Sequence, residues 1–323
     1  MRLNIIWQLR NGPTVALLLV ALFAAACQAA GGTAPPTGGG LSVVTTIHPM
    51  EYFAERVGGV AVTVVNLVSP GVEAHGFEPS AGDLRTLGAA DLVIANGLAL
   101  EPWLDDALTS LGDEAPLVVI EAAGAIEGHG AEHDEETHED EDDEHDHEGL
   151  DPHVWLDPLG AVTQVERIRD ALITLAPELE AEFEANAGVL IEELEDLHQR
   201  ASVLGDCAHD HFVTSHAAYG HLAARYGLEQ VALVGLSVEA EPSAQRLAQI
   251  ADQVRDLGLR YILVEPALGT RLADAVRRET GVELLPIHQI ESVTPAELSE
   301  HGDYLGLMED NLRSLSTALE CGS

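Results

Sequence analysis

Eight short apolar runs rich in β-branched residues, interleaved with stretches of helical periodicity, limit the folds open to this chain more than any other feature. The first four are "LSVVTTIH", "VAVTVVNLV", "ADLVIANG" and "PLVVIEAA"; the last four are "HFVTSH", "EQVALVGL", "YILVEPA" and "VELLPIH". Helical stretches such as "PMEYFAERVGG", "AGDLRTLGAA" and "LEPWLDDALTSL" separate the first set. Strands apolar on both faces and alternating with helices belong in a parallel sheet covered on each side. The expected fold class is therefore α/β, with two parallel-sheet lobes that share a pattern without being tandem copies.

Between the two sets lies "PELEAEFEANAGVLIEELEDLHQRASVL". Leu179, Phe183, Ala187, Leu190, Leu194, Leu197 and Leu204 recur in it at three- and four-residue spacing, an apolar stripe on one long helix. Pro177 suits its first turn. A helix over 177–204 would reach about 40 Å at ~1.5 Å per residue, enough to run beside both lobes. A stiff helix in that position restricts their relative motion. The scheme is thus an N-terminal lobe at 41–176, a linking helix at 177–204 and a C-terminal lobe at 205–323.

The chain opens with a targeting segment. Arg2 and Arg10 precede the apolar run "VALLLVALFAAAC", which ends at Cys27. That run falls short of the ~20 apolar residues of a membrane-spanning helix and has the layout of an export signal. Small residues before Cys27, and "QAAGGTAPPTGGG" after it, match a lipoprotein signal at 1–27 with a tether at 28–40; plain cleavage nearby is the other reading. Either way the mature chain works outside the cytoplasm, periplasmic or lipid-anchored, and meets the membrane only through its N-terminus. Cys207 and Cys321 are then an even pair in an oxidising compartment, where a disulfide and two unpaired thiols both stay open.

Charge narrows the partners. The 323-residue chain carries a formal net charge of -40, and apolar residues make up 46% of it, so it can build a core beneath a strongly acidic surface. Such a surface repels nucleic acid and anionic membrane and attracts cations. The acidic stretch "GHGAEHDEETHEDEDDEHDHEG" at 128–149 offers His129, His133, His138, His145 and His147 as ligands. Nothing holds them in place, and ordering backbone costs ~1–2 kcal/mol per residue. Weak, unselective, accessory metal binding is expected there, against the blander reading of a solvated insert.

Four other histidines are better placed. His75 lies in the loop after the second run and His153 after the fourth, while His216 closes the fifth and His288 follows the eighth. In open α/β sheets, ligands bind beyond the carboxyl ends of strands. Two imidazoles from each lobe converging in the cleft would form a closed tetrahedral site suited to Zn²⁺. His48 reads as a packing or turn residue, His198 and His221 as helix-face residues, and His209 and His211 as preceding a strand.

The stretches "SPGVEAHGFEPSAGDLRTLGAADLVIANGLALEPWLDD", "LDPHVWLDP", "VTSHAAYGHLAARYGL", "EAEPSAQRLAQIADQVRDLGLRYILVEPAL" and "RRETGVELLPI" carry a resemblance. Over essentially all of the mature chain it resembles the solute-binding proteins of ABC importers for zinc and manganese. The resemblance implies two α/β lobes joined by a long, rigid backbone helix with one metal in the interlobe cleft. The acidic His-rich insert is similar to that of zinc-specific members. Carried over position by position, the family's ligands fall on His75, His153 and His216. The fourth position, usually Asp, is His288 here. It could coordinate, stand behind a water, or stay out while Glu265 approaches. His288 is the expected ligand, with Glu265 orienting a histidine.

An all-imidazole set favours Zn²⁺ over Mn²⁺. The expected function is a monomeric high-affinity zinc receptor delivering its ion to an ABC permease and a cytoplasmic ATPase. No GxxxxGK[ST] loop places an ATPase in this chain. A manganese-binding member of the same family is the nearest alternative. An exported zinc hydrolase would need an open coordination position, and no HExxH pair occurs. A metal-buffering or adhesive lipoprotein is the remaining reading. The expectation is that the chain is not an enzyme.

Overall fold

The computed structural model describes residues 40–112, 118–124, 150–236, 242–266 and 269–322. The signal with Cys27, the tether up to residue 39 and the acidic insert at 128–149 lie outside the described residues.

All eight apolar runs become strands. In the N-terminal lobe β1 (Leu41–Thr45), β2 (Val62–Asn66), β3 (Leu92–Ala95) and β4 (Val118–Glu121) form a parallel sheet in the order β2-β1-β3-β4. In the C-terminal lobe β5 (His211–His216), β6 (Glu229–Val234), β7 (Tyr261–Val264) and β8 (Glu283–Pro286) repeat it as β6-β5-β7-β8. Each sheet grows to one side of its first strand and then to the other. The strand order therefore reverses beside β1 and β5, which opens a crevice at their carboxyl ends.

Helices α1 (His48–Gly58), α2 (Ala81–Gly88) and α3 (Leu104–Leu111) belong to the first lobe. The second holds α6 (Gly220–Tyr226), α7 (Ala244–Asp256), α8 (Arg271–Thr280), α9 (Pro295–His301) and α10 (Tyr304–Ala318). Between them run α4 (Pro158–Leu175) and α5 (Glu180–Ala201). The α-helical part of the linking segment is shorter than 177–204. Ala176 leaves helical geometry at φ -137 and ψ 71, and Pro177, which has no N–H to donate, opens a 3₁₀ turn before α5. A second 3₁₀ turn, Ser202–Asp206, follows it. The 22 residues of α5 span about 33 Å. Its stripe of Phe183, Ala187, Leu190, Leu194 and Leu197 is buried; the helix packs on α4 and on α1 of the first lobe and reaches α10 of the second.

One apolar interior serves both lobes. A single cluster runs from Val43 and Phe53 through Leu190 and Leu194 to Phe212, Tyr304 and Leu315. Smaller clusters around Ile250 and around Leu87 belong to one lobe each. The seam between the lobes is aromatic: Tyr304 stacks on Tyr52 at 5.5 Å between ring centroids and meets Phe53 edge-on at 4.9 Å. Trp155, fully buried, donates its indole N–H to the Gln289 carbonyl at 2.7 Å, and its own carbonyl accepts from the Tyr304 hydroxyl. Asp157 caps α4 and also accepts a two-pronged contact from Arg225, with Nε at 3.1 Å and Nη2 at 2.6 Å. Cys207 and Cys321 are joined in a disulfide. Among the described residues no helix is long and apolar enough to cross a membrane.

Two stability outcomes follow in urea titrations. Trp155→Ala should cost about 3–5 kcal/mol, whereas Trp155→Phe, which keeps most of the volume and loses the indole hydrogen bond, should cost about 1 kcal/mol. Replacing both Cys207 and Cys321 by Ser should cost about 2–5 kcal/mol by freeing a long loop in the unfolded chain.

Candidate metal centre

His153 is held by short-range chemistry. Asp151 accepts from the His153 backbone N–H at 2.9 Å and from the ring Nδ1 at 2.8 Å, through the same oxygen. A carboxylate only accepts, so Nδ1 carries the proton and Nε2 keeps its lone pair. The turn is anchored from both lobes. Asn96, wholly buried, donates to the Pro152 carbonyl at 2.9 Å, and His221 of α6 donates to the Asp151 carbonyl at 2.9 Å. His221 is therefore a buried interlobe tie rather than a plain helix-face residue.

His216, the last residue of β5, is oriented in the same way. Its Nδ1 lies 2.7 Å from Oε2 of Glu265, which follows β7, and both side chains are buried. Gln230 fixes the strand end by donating to the His216 carbonyl at 2.8 Å. His75 sits in the loop after β2, where Glu73 accepts from the backbone N–H groups of His75 and Gly76 at 3.0 and 2.8 Å. That loop ends at the Ser80 cap of α2, which forms a reciprocal capping box with Asp83.

Three of the four expected histidines come together. The His153 ring centroid lies 5.4 Å from that of His75 and 5.2 Å from that of His216. The fourth side chain beside them is Glu291, 1% exposed, with Oε2 at 3.8 Å from His75 Nε2. Ligand atoms of His75, His153 and Glu291 all lie within 4.8 Å of one another. His153 Nε2, His216 Nε2 and Glu291 Oε2 are buried without a hydrogen-bond partner among the described residues. Each such group costs about 1–3 kcal/mol unless something pairs with it.

His288 departs from the expectation of a fourth imidazole in the cleft. It is fixed against α10 by Asn311, whose side chain accepts from the His288 N–H and donates to its carbonyl, both at 2.7 Å. Its ring lies 4.8 Å from the His301 ring, and it groups with His301 and Asp310 instead. The chain then passes through Ile290 at φ 66, a left-handed conformation that a β-branched residue rarely adopts, directly before Glu291. The Glu291 carbonyl accepts from the His48 N–H at 2.9 Å, tying this turn to the start of α1. Glu265 lies behind His216, as an orienting carboxylate would.

Burial is the largest single influence on the electrostatics of the cluster. Burial, helped by the Glu73 carboxylate, pushes the Glu291 carboxyl up to about 7. Burial also draws His153 down to about 4, overcoming the Asp151 carboxylate beside it. For His216 burial again disfavours charge, yet the hydrogen bond and charge of Glu265 prevail and raise it. His288 is lowered, by burial first and then by the His301 ring. Of the three nearly buried carboxylates, Asp151 and Glu265 are already hydrogen-bonded to His153 and His216, and Glu291 is the one whose Oε2 has no such partner among the described residues.

Residues 43–318 match the family model described as zinc-uptake complex component A, periplasmic, or ZnuA. The chain is 36% identical over 298 residues to the zinc-binding lipoprotein AdcA of Streptococcus pneumoniae, an alignment covering 92% of this chain and 58% of that protein. It thus spans a little over half of AdcA. Against the high-affinity zinc uptake system protein ZnuA of Bacillus subtilis it is 33% identical over 301 residues, covering 92% of this chain and 94% of the other. The crystal structure of the Zn(II)-bound ZnuA-like domain of S. pneumoniae AdcA superposes with a TM-score of 0.73 at 34% identity, covering 87% of this chain and all of that domain.

The Glu291 environment gives a pH test in chelator-treated protein. Its folded value of about 7 stands above the ordinary glutamate value of 4.5, so the native state binds more protons between those limits and gains stability as pH falls through them. Glu291→Gln removes that dependence. The variant should be more stable than the parent at pH 8, by on the order of 3 kcal/mol, and the difference should close towards pH 5. Chemical denaturation at several pH values reads it directly.

Proposed function

The chain belongs to the ZnuA family of periplasmic zinc-uptake components, and on that premise we propose that it is an extracytoplasmic, lipid-anchored Zn²⁺ receptor serving an ABC importer. The observation that carries this is the convergence beside His75, from both lobes, of His153 Nε2, His216 Nε2 and Glu291 Oε2, buried and without hydrogen-bond partners among the described residues. The proposed ligands are the Nε2 atoms of His75, His153 and His216 and the Glu291 carboxylate, in place of His288.

Three imidazoles and one carboxylate form a set that Zn²⁺ accepts readily, while Mn²⁺ favours more oxygen. With Glu291 ionised the ion and its ligands carry a net charge of about +1, and the orienting carboxylates Asp151 and Glu265 take the buried assembly to about -1. Four protein ligands leave no coordination position for a reactive water, which argues for carriage rather than hydrolysis. The ion is cargo, passed to a permease driven by a cytoplasmic ATPase. The acidic insert at 128–149 would gather ions near the crevice without forming the tight site.

Competition titration with a zinc chelator tests the ligand set. His216→Ala and Glu291→Ala should each weaken Zn²⁺ binding by more than the roughly 10–100-fold typical of losing an outer carboxylate, and Glu265→Gln should fall within that range. His288→Ala should leave the tight site intact, as should deletion of 128–149. Tight binding that survives Glu291→Ala but is lost in His288→Ala would reverse the assignment.

A further inference from the structure

The segment after β8 carries two metal-competent side chains that part company. Glu291 enters the cleft, while His288 meets His301, the last residue of α9, and Asp310 of α10. The ligand atoms of these three residues all lie within 4.8 Å of one another. His301 Nδ1 is 2.5 Å from Asp310 Oδ2, and the His288 and His301 ring centroids are 4.8 Å apart. We propose that His288, His301 and Asp310 form a second divalent-cation site, for Zn²⁺ or a cation of like preference, with water completing the coordination.

A pairing of His301 with Asp310, which also holds Arg313, would by itself explain how α9 is fastened to α10. It does not explain a second imidazole at the same point. Two imidazoles repel when protonated, and a shared cation makes their proximity favourable. The position of His288 is imposed through its backbone by Asn311, so the ring is delivered to the site before any ion arrives. Glu297 and Glu300 lie near enough to act on the His288 ring and add negative potential. Two nitrogens and one carboxylate leave open positions, so this ion is held more weakly than one with four protein ligands and exchanges with water. It would tie the turn bearing Glu291 to α10 from the side away from the cleft.

The test is independent of the cleft assignment. Crystals of the full chain soaked in millimolar Zn²⁺ should show, at the zinc absorption edge, an anomalous peak among His288, His301 and Asp310 as well as one in the cleft. His216→Ala should lose the cleft peak and keep the second. In solution, Co²⁺ titration of the His216→Ala chain, which lacks the cleft ligand, should still give a visible band, and adding His288→Gln or His301→Gln should diminish it. If either Gln variant fails to fold, the map of the unaltered chain decides alone. No density among the three residues at millimolar Zn²⁺ overturns the proposal, and so does a Co²⁺ band indifferent to both Gln variants in folded protein.

Discussion

The hydrogen bond from the Trp155 indole to the Gln289 carbonyl fixes the geometry on which the rest depends. It joins the residue two after His153 in one lobe to the residue two before Glu291 in the other. The partners of the prospective ion are therefore placed by the protein fold, and the ion need not assemble them. Tyr304 on the Trp155 carbonyl and Arg225 on Asp157 reinforce the same seam. A binder with its ligands already in position avoids an ordering cost, which favours the crevice as the proposed tight site. Opening the lobes widely about α5 would break this seam. Smaller displacements of the loops bearing His75 and Glu291 leave it whole.

Carboxylates play two distinct parts. Asp151 and Glu265 stand behind histidines, choose the tautomer and keep the outward nitrogen available. Glu291 stands in front, and its buried oxygen at 3.8 Å from His75 Nε2 is where negative charge faces the crevice. Burying Glu291 there disfavours its ionised form and lowers the stability of the empty protein above neutral pH. A divalent cation on that carboxylate would reverse much of the penalty, which links loading to folding stability.

The sequence carried the framework openly. All eight strands and the stripe on α5 were readable because burial on both faces of a sheet, or on one face of a helix, leaves a periodic imprint. His75, His153 and His216 were readable because each follows a strand at the end where α/β sheets open. The acidic neighbour of these histidines was not. His288 follows β8 more closely, yet the backbone reverses at Ile290 and Glu291, three places later, is the side chain that lies beside them. Nothing in a β-branched residue announces a left-handed turn, although Glu291 was the first carboxylate after that strand. The supporting roles of Asn96, His221 and Asn311 were equally silent, since each acts on backbone groups far away in sequence.

The shared interior sets a limit on how such a molecule can change over generations. Residues 40–323 form one compact unit, and its largest cluster draws side chains from both lobes and from α5. Neither half possesses a complete interior by itself. A lobe cannot be exchanged with another receptor as a ready-made module, and ancestry in this architecture should be inherited whole, with novelty confined to the turns at the strand ends.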